Sequence, residues 1–249
     1  MCINCGCPST GTADDHHDHS HGHDHAPRTV RLEEDLLAKN DRLAAGNREH
    51  FGRAGLFVLN LVSSPGSGKT TLLERTLTDL RGTLRFAVLE GDQQTSRDAD
   101  RIAATGVPVR QINTGAGCHL DAHMVAHGVE GFDLPHTDLL MIENVGNLVC
   151  PAGFDLGEDH KVALLSVTEG EDKPIKYPQM FHAATLMLIT KTDLLPHLDF
   201  DIARCREFAR QVNPQIKILE LSCRSGAGLD EWYAWLEECV KRKQAARGA

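Results

Sequence analysis

Phe57-Val58-Leu59-Asn60-Leu61-Val62-Ser63-Ser64-Pro65-Gly66-Ser67-Gly68-Lys69-Thr70-Thr71 is the stretch that decides the fold. Its nearly continuous apolar opening reads as a strand buried on both faces. The chain then enters a Gly/Ser turn and leaves it in a run with helical spacing of apolar residues. The turn meets the phosphate-loop pattern of a glycine, four residues, Gly-Lys and then Ser or Thr, with Ser63 at the first glycine's place. Binding a β-phosphate needs backbone N–H groups turned inward, which Gly66, Ser67 and Gly68 permit. Lys69 supplies a point charge for the β- and γ-phosphates. Thr70 offers a hydroxyl to Mg²⁺, and with Thr71 it opens a helix whose N-terminus is partially positive.

Short apolar runs alternate with amphipathic ones on from this unit. Strands are expected over residues 56–62, 85–89, 107–112, 138–143, 162–167, 185–189 and 216–221. Helices are expected over 29–51, 69–80, 120–127, 202–212 and 229–241, with Gly46 or Gly52 ending the first. The alternation predicts an α/β fold, a P-loop NTPase with a mostly parallel sheet flanked by helices. Residues 28–52 are expected to form an N-terminal helix and 53–249 the nucleotide domain. Residues 1–27 lack apolar periodicity and are expected to be a disordered metal-binding tail.

Two acids fall where such a fold handles its metal ion. Asp92 follows Phe86-Ala87-Val88-Leu89-Glu90-Gly91, and Glu143 closes a strand before Asn144-Val145-Gly146. The second has the form of a Walker B carboxylate followed by the glycine that contacts a γ-phosphate. Lys69, Asp92 and Glu143 are therefore the catalytic candidates, and Thr70, Asp92 and Glu143 the magnesium candidates. Thr190-Lys191-Thr192-Asp193 has the Asn-Lys-x-Asp form, with Thr190 at the asparagine's place. An aspartate there accepts from guanine N1 and the exocyclic amine, a donor pair that adenine lacks. The Lys191 stem packs along a base plane. Ser222 and Cys223 open a loop positioned like the second base-contacting loop of GTPases.

The chain has 249 residues, 26 Lys+Arg against 35 Asp+Glu and a formal net charge of −9, which argues against nucleic acid as a partner. Neither a membrane-spanning run nor a signal peptide is visible, so a cytoplasmic location and no membrane association are expected. Cysteines stay reduced there, and clusters of the eight read as metal ligands. Cys2, Cys5 and Cys7 put three thiolates within six residues, suited to square-planar Ni²⁺ or tetrahedral Zn²⁺. His16, His17, His19, His21, His23 and His25 suit looser, low-affinity accumulation. Inside the domain Cys118 and His119 are adjacent, and Cys150 lies seven residues after Glu143. A metal held by these three would be mechanically tied to nucleotide state, and a two-fold dimer would complete its ligand set. His123 and His127 follow His119 at i+4 and i+8 and read as surface histidines. Cys205, Cys223 and Cys239 read as structural.

Taken in order, these motifs resemble the HypB family, GTPases that help insert nickel into nickel–iron hydrogenase. The matching residues are Cys2-x-x-Cys5-Gly-Cys7, the histidine stretch, Ser63–Thr70, Glu90-Gly91-Asp92, Cys118-His119, Glu143 to Pro151, Thr168 to Pro174 and Lys191-Thr192-Asp193. They span nearly the whole chain. The resemblance implies a homodimeric GTPase, controlled by nucleotide-dependent dimerisation, that hydrolyses GTP to GDP slowly, as a switch. It implies a tight nickel site at Cys2, Cys5 and Cys7, and a nickel or zinc site at Cys118, His119 and Cys150 on the dimer interface. A zinc-containing HypA-type nickel chaperone is the implied partner, and the hydrogenase large subunit the implied recipient. The related urease nickel-delivery GTPase has Cys-Pro-His as its interior motif, whereas Cys118 and His119 are adjacent here. A nickel-storage protein with a vestigial P-loop and an ATP-using kinase are the readings from other classes. Lys173, in a charged loop after a strand, is the residue to examine at a dimer interface.

Overall fold

The computed structural model describes residues 28–92, 97–115 and 117–247. Its strands are β1 Phe57–Ser63, β2 Phe86–Asp92, β3 Val109–Asn113, β4 Leu139–Glu143, β5 His160–Ser166, β6 Leu186–Thr190 and β7 Lys217–Glu220. They form one sheet in the order β3-β2-β4-β1-β5-β6-β7, every neighbouring pair parallel. The helices are α1 Arg28–Ala54, α2 Lys69–Leu80, α3 Arg97–Ala103, α4 Ala122–Gly128, α5 Lys173–Lys176, α6 Pro178–Ala183, α7 Ile202–Val212 and α8 Leu229–Arg247. Parallel strands need crossovers, and the crossover helices cover both faces.

The period of two along β1 sorts its residues between the two faces of the sheet. Phe57, Leu59 and Leu61 pack with Leu72, Leu73 and Leu77 of α2 and with Trp232 and Leu236 of α8. On the other face Val58 joins Phe51 of α1 and Val125 of α4, and Val62 joins Phe181 of α6 and Ala209 of α7. Trp232 is fully buried, and its indole N–H donates to Thr76 Oγ1 at 2.9 Å. The largest side chain of the core is thereby left with no orphan polar atom.

Most boundaries shift from expectation by a residue or two, and α8 runs on to Arg247; three shifts have a local cause. β2 runs on to Asp92 because Gly91 and Asp92 still pair with Ile112 and Asn113 of β3. α1 passes through both Gly46 and Gly52 and stops at Ala54, before Gly55 at φ +69°. Burial of Ala44 and Phe51 outweighs the cost of a helical glycine, about 1 kcal/mol each. α4 starts at Ala122 because the Asp121 carboxylate caps it, accepting from Met124 N at 2.8 Å. Helices α3, α5 and α6 were not expected; at four to seven residues they are too short to show a period. No helix among the described residues is long and apolar enough to cross a membrane.

Candidate nucleotide and metal site

The site is built at the carboxyl ends of the parallel strands, where open α/β sheets hold ligands. Between β1 and α2 the chain turns through Gly66 at φ +76° and Gly68 at φ +93°, conformations that only glycine adopts without cost. The turn borders a cavity of about 540 Å³ that also meets Lys69, Thr70, Asp92 and Gly146. Lys69 Nζ lies 3.5 Å from Glu143 Oε1, and Thr70 Oγ1 donates to the same oxygen at 2.7 Å. Asp92 stands half-buried on the cavity wall. Gly146 backs onto the turn, since a Cβ there would lie 3.1 Å from Pro65 Cγ.

Glu90 joins this cluster. It is the direct cross-strand neighbour of Glu143 and is almost fully buried. Burial, and then the Glu143 and Asp92 charges, push its carboxyl up to about 8. Burial also holds Glu143 above the carboxylate range, against the pull of Lys69 and Thr70. Glu90 Oε2 and Glu143 Oε2 are buried without a hydrogen-bond partner among the described residues. Such a carboxylate cluster fits a hard divalent cation. The signal in the sequence was a glutamate interrupting an apolar strand.

The loop after β5 fastens the turn from the other side. Ser67 Oγ lies 2.6 Å from Ser64 O and 3.0 Å from Glu169 Oε1, so its one proton serves these two acceptors between them. Lys173 Nζ donates to Ser64 Oγ at 3.1 Å and pairs with Glu169 Oε2 at 3.2 Å. Lys173 thus holds the phosphate turn of its own chain.

A second cavity, about 200 Å³, adjoins the first and is bordered by Ser67, Gly68, Thr71, Thr190, Lys191, Asp193, Ser222 and Cys223. Ser222 Oγ donates to Asp193 Oδ1 at 2.5 Å while accepting from Arg224 N and Ser225 N. The carboxylate is therefore held in one orientation at the edge of this cavity. Lys191 takes the left-handed conformation, φ +59°, and its Nζ donates to Gly66 O at 2.6 Å. Thr190 Oγ1 donates to Ser67 O at 2.7 Å, so the threonine at the asparagine's place tethers the base strand to the phosphate turn. Burial pushes the Cys223 thiol up to about 11, which makes it a neutral wall. A larger cavity of about 740 Å³ lies at the opposite strand ends, beside Arg81, Leu84 and Thr137, and meets none of these residues.

Cys118, His119 and Cys150 come together with one ligand atom each, all within 4.8 Å of one another. Cys118 Sγ is 3.6 Å from His119 Nδ1, and the His119 ring lies 3.9 Å from that of Phe154. Burial lowers the His119 pKa and keeps the imidazole in its neutral, ligating form. Two sulfurs and a nitrogen suit Ni²⁺ or Zn²⁺ and leave a coordination position open. Cys2, Cys5, Cys7, His16, His17, His19, His21, His23 and His25 lie outside the described residues.

A buried polar chain that the motifs do not reveal joins this trio to the phosphate site. Asn144, next to Glu143, accepts Leu120 N at 3.1 Å and Val145 N at 3.0 Å on Oδ1, and donates to Asn60 Oδ1 at 3.2 Å. Asn60 Nδ2 donates to Glu158 Oε1 at 3.1 Å. Glu158 faces Lys161 at 3.8 Å, and Lys161 Nζ donates to the carbonyls of Pro151, Ala152 and Phe154. The chain starts one residue after His119 and ends one residue after Cys150.

The model of the CobW/HypB/UreG nucleotide-binding domain matches residues 57–220. The hydrogenase maturation factor HypB of Azotobacter vinelandii is 65% identical over 218 residues, covering 86% of this chain and 72% of its own. The chain belongs to the HypB family. HypB of Escherichia coli K12 is 57% identical over 233 residues, covering 92% of this chain and 80% of its own. The crystal structure of HypB from Helicobacter pylori in complex with nickel matches with a TM-score of 0.79 at 41% identity, over 83% of this chain and 97% of that one. The fold is that of a P-loop NTPase, and the family is one of hydrogenase maturation factors with a nucleotide-binding domain.

Proposed function

We propose that this HypB-family protein hydrolyses GTP to GDP and uses the cycle to time delivery of Ni²⁺ during nickel–iron hydrogenase maturation. The observation that carries this reading is the buried chain from Asn144 to Lys161, which ties the Cys118–His119–Cys150 trio to the phosphate site. The nickel complex of the H. pylori relative supports the choice of cargo. Gly66, Ser67, Gly68, Lys69, Thr70 and Thr71 bind the phosphates. Lys191, Asp193, Ser222 and Cys223 border the guanine. Thr70, Asp92 and Glu143 are the residues that would hold Mg²⁺, which when bound neutralises charge between the β- and γ-phosphates. Glu143 orients the attacking water.

Cys2, Cys5 and Cys7 capture nickel tightly, and the six tail histidines accumulate it loosely. Cys118, His119 and Cys150 hold Ni²⁺ or Zn²⁺ in a set that a second copy completes, making the GTP-bound homodimer the metal-closing state. A HypA-type chaperone and the hydrogenase large subunit are the partners, in the cytoplasm. The test is Ni²⁺ affinity in GDP and in a non-hydrolysable GTP analogue at matched oligomeric state. A difference that disappears in Cys118→Ala/Cys150→Ala supports the reading. Equal affinities in the two nucleotides overturn it.

A further inference from the structure

We propose that Arg101 is a catalytic residue which the chain supplies to its own phosphate site, a guanidinium that binds the γ-phosphoryl group of GTP as it transfers to water. The role rests on the GTP-hydrolysing reading and adds to it the cation that meets the reacting group. Arg101 lies in the last turn of α3 and borders the same cavity as Gly66, Lys69, Thr70 and Asp92. Its neighbour Ile102 is fully buried with Leu72, Leu73 and Leu77 of α2, so the helix is fixed while the exposed arginine side chain is left free to turn.

Among the described residues, the basic ones bordering that cavity are Lys69, Lys191 and Arg101. Lys69 is largely buried against Glu143, and Lys191 is engaged by the Gly66 carbonyl. Arg101 is held differently. Its guanidinium pairs with Glu74 at 2.6 Å and with Asp98 at 3.3 Å, and the three side chains are 40–44% exposed. Exposed ion pairs hold weakly, so water can replace the guanidinium on Glu74 at little cost. Asp98 also borders the cavity, so the fork stays on the cavity side of α3 once Glu74 releases it. A phosphoryl group is the stronger partner, because the planar fork meets two of its oxygens with parallel N–H donors and stays charged at every working pH. In hydrolysis the water oxygen bonds to the γ-phosphorus. The bond from that phosphorus to the β–γ bridging oxygen breaks, and its electron pair leaves with GDP. One proton of the water stays on the phosphate and the other goes to solvent. Arg101 transfers no proton; it stabilises the charge spread over the equatorial oxygens of the group in flight.

Single-turnover GTP hydrolysis and GDP–aluminium fluoride binding by the full chain, both with Mg²⁺ and at fixed protein concentration, test it. Arg101→Ala, at an exposed position, lowers the hydrolysis rate constant by about 10³-fold. It leaves the GTP dissociation constant within about threefold, because the contact forms in the transition state. The native chain takes up aluminium fluoride beside GDP, as a mimic of the planar phosphoryl group, whereas Arg101→Ala binds GDP without it. Glu74→Ala breaks the same ion pair from its other end and keeps the rate within about fivefold of native. A rate for Arg101→Ala within about tenfold of native overturns the role. So does fluoride uptake by that variant, or an equal loss of rate in Glu74→Ala, which would mean that the pair only ties α3 to α2. A native chain that binds GTP without hydrolysing it overturns the GTP-hydrolysing reading itself, and the role with it.

Discussion

Replacing Asn144 by alanine isolates the joint between the two halves of the site. The side chain is 1% exposed and makes three hydrogen bonds: from Leu120 N, from Val145 N and to Asn60 Oδ1. Val145 is half-buried, so its N–H can turn to water. Leu120 and Asn60 are fully buried, so Asn144→Ala strands one donor and one acceptor. Each stranded group costs about 1–3 kcal/mol, and a water admitted to the vacated space recovers part of it. The expected loss is about 2–4 kcal/mol, or a fall in Tm of roughly 4–16 °C for a domain of this size. Asn144→Asp keeps the acceptor for both N–H groups but sets a second oxygen against Asn60 Oδ1, so it loses less at Leu120 and more at Asn60. Urea denaturation of the nucleotide-free chain at fixed concentration reads the stability. Ni²⁺ titration of the same samples reads the trio, whose His119 neighbours the freed Leu120 N–H. A stability change under 0.5 kcal/mol with unaltered nickel binding would refute the reasoning, because it would mean that neither stranded group depends on Asn144.

Three further outcomes follow from the geometry. Asp193→Asn replaces two carboxylate acceptors facing the base by one acceptor and one donor. At about 1.5–3 kcal/mol for each charge-assisted bond, GTP affinity falls by about 10²- to 10⁴-fold while ATP affinity holds, as fluorescent-nucleotide displacement will show. Cys118→Ala/Cys150→Ala removes the interior metal site and leaves GTP affinity within twofold, measurable by parallel Ni²⁺ and nucleotide titrations. Arg85 holds the Asp138 carboxyl below its ordinary range through a 2.6 Å ion pair. With a depressed folded pKa, that stabilisation is full above about 3.9 and is lost as pH falls through the folded value. Asp138→Asn should therefore lower stability near neutral pH and flatten its decline in acid, as urea midpoints across that range will record.

The strands, the longer helices and the turn between β1 and α2 were legible because all rest on local order. An apolar run, a Gly/Ser turn and a helical period are contiguous in Phe57–Leu80, and many of the residues bordering the cavity beside that turn are drawn from the same run. Cys118, His119 and Cys150 were legible by chemical type, since thiolate beside imidazole is scarce. Asn60, Asn144 and Lys161 were not. Each reads as an interruption of an apolar strand or a polar loop residue until its partner is known. Asn60 lies 84 residues from Asn144 and 98 from Glu158. Only the parallel order β4-β1-β5 brings those three positions side by side. The first helix runs past its local stop signals to Ala54 for the opposite reason. Gly46 and Gly52 are local stop signals, and distant burial of Phe51 overrides them.

On the proposed function, the same topology bounds how strongly nucleotide would act on a metal held by Cys118, His119 and Cys150. The loop after β4 starts with Glu143 and Asn144 and ends at Cys150, while Gly146 in its middle rests on Pro65 of the phosphate turn. A γ-phosphate that displaces residues 143–146 has two outcomes. Either Asn144 parts from Leu120 and strands its buried N–H, or Leu120 moves with it and drags His119 relative to Cys150. The first costs about 1–3 kcal/mol. The second avoids that cost but strains the trio, so the loop will distort the metal site only up to the point where breaking the bond becomes easier. On the proposed function, the hydrogen bond is a fuse that would limit the coupling to about 1–3 kcal/mol, or roughly 5- to 150-fold in metal affinity. A larger ratio between the two nucleotide states would require a second route, and added ligands from a partner copy are the route the three-ligand trio leaves open.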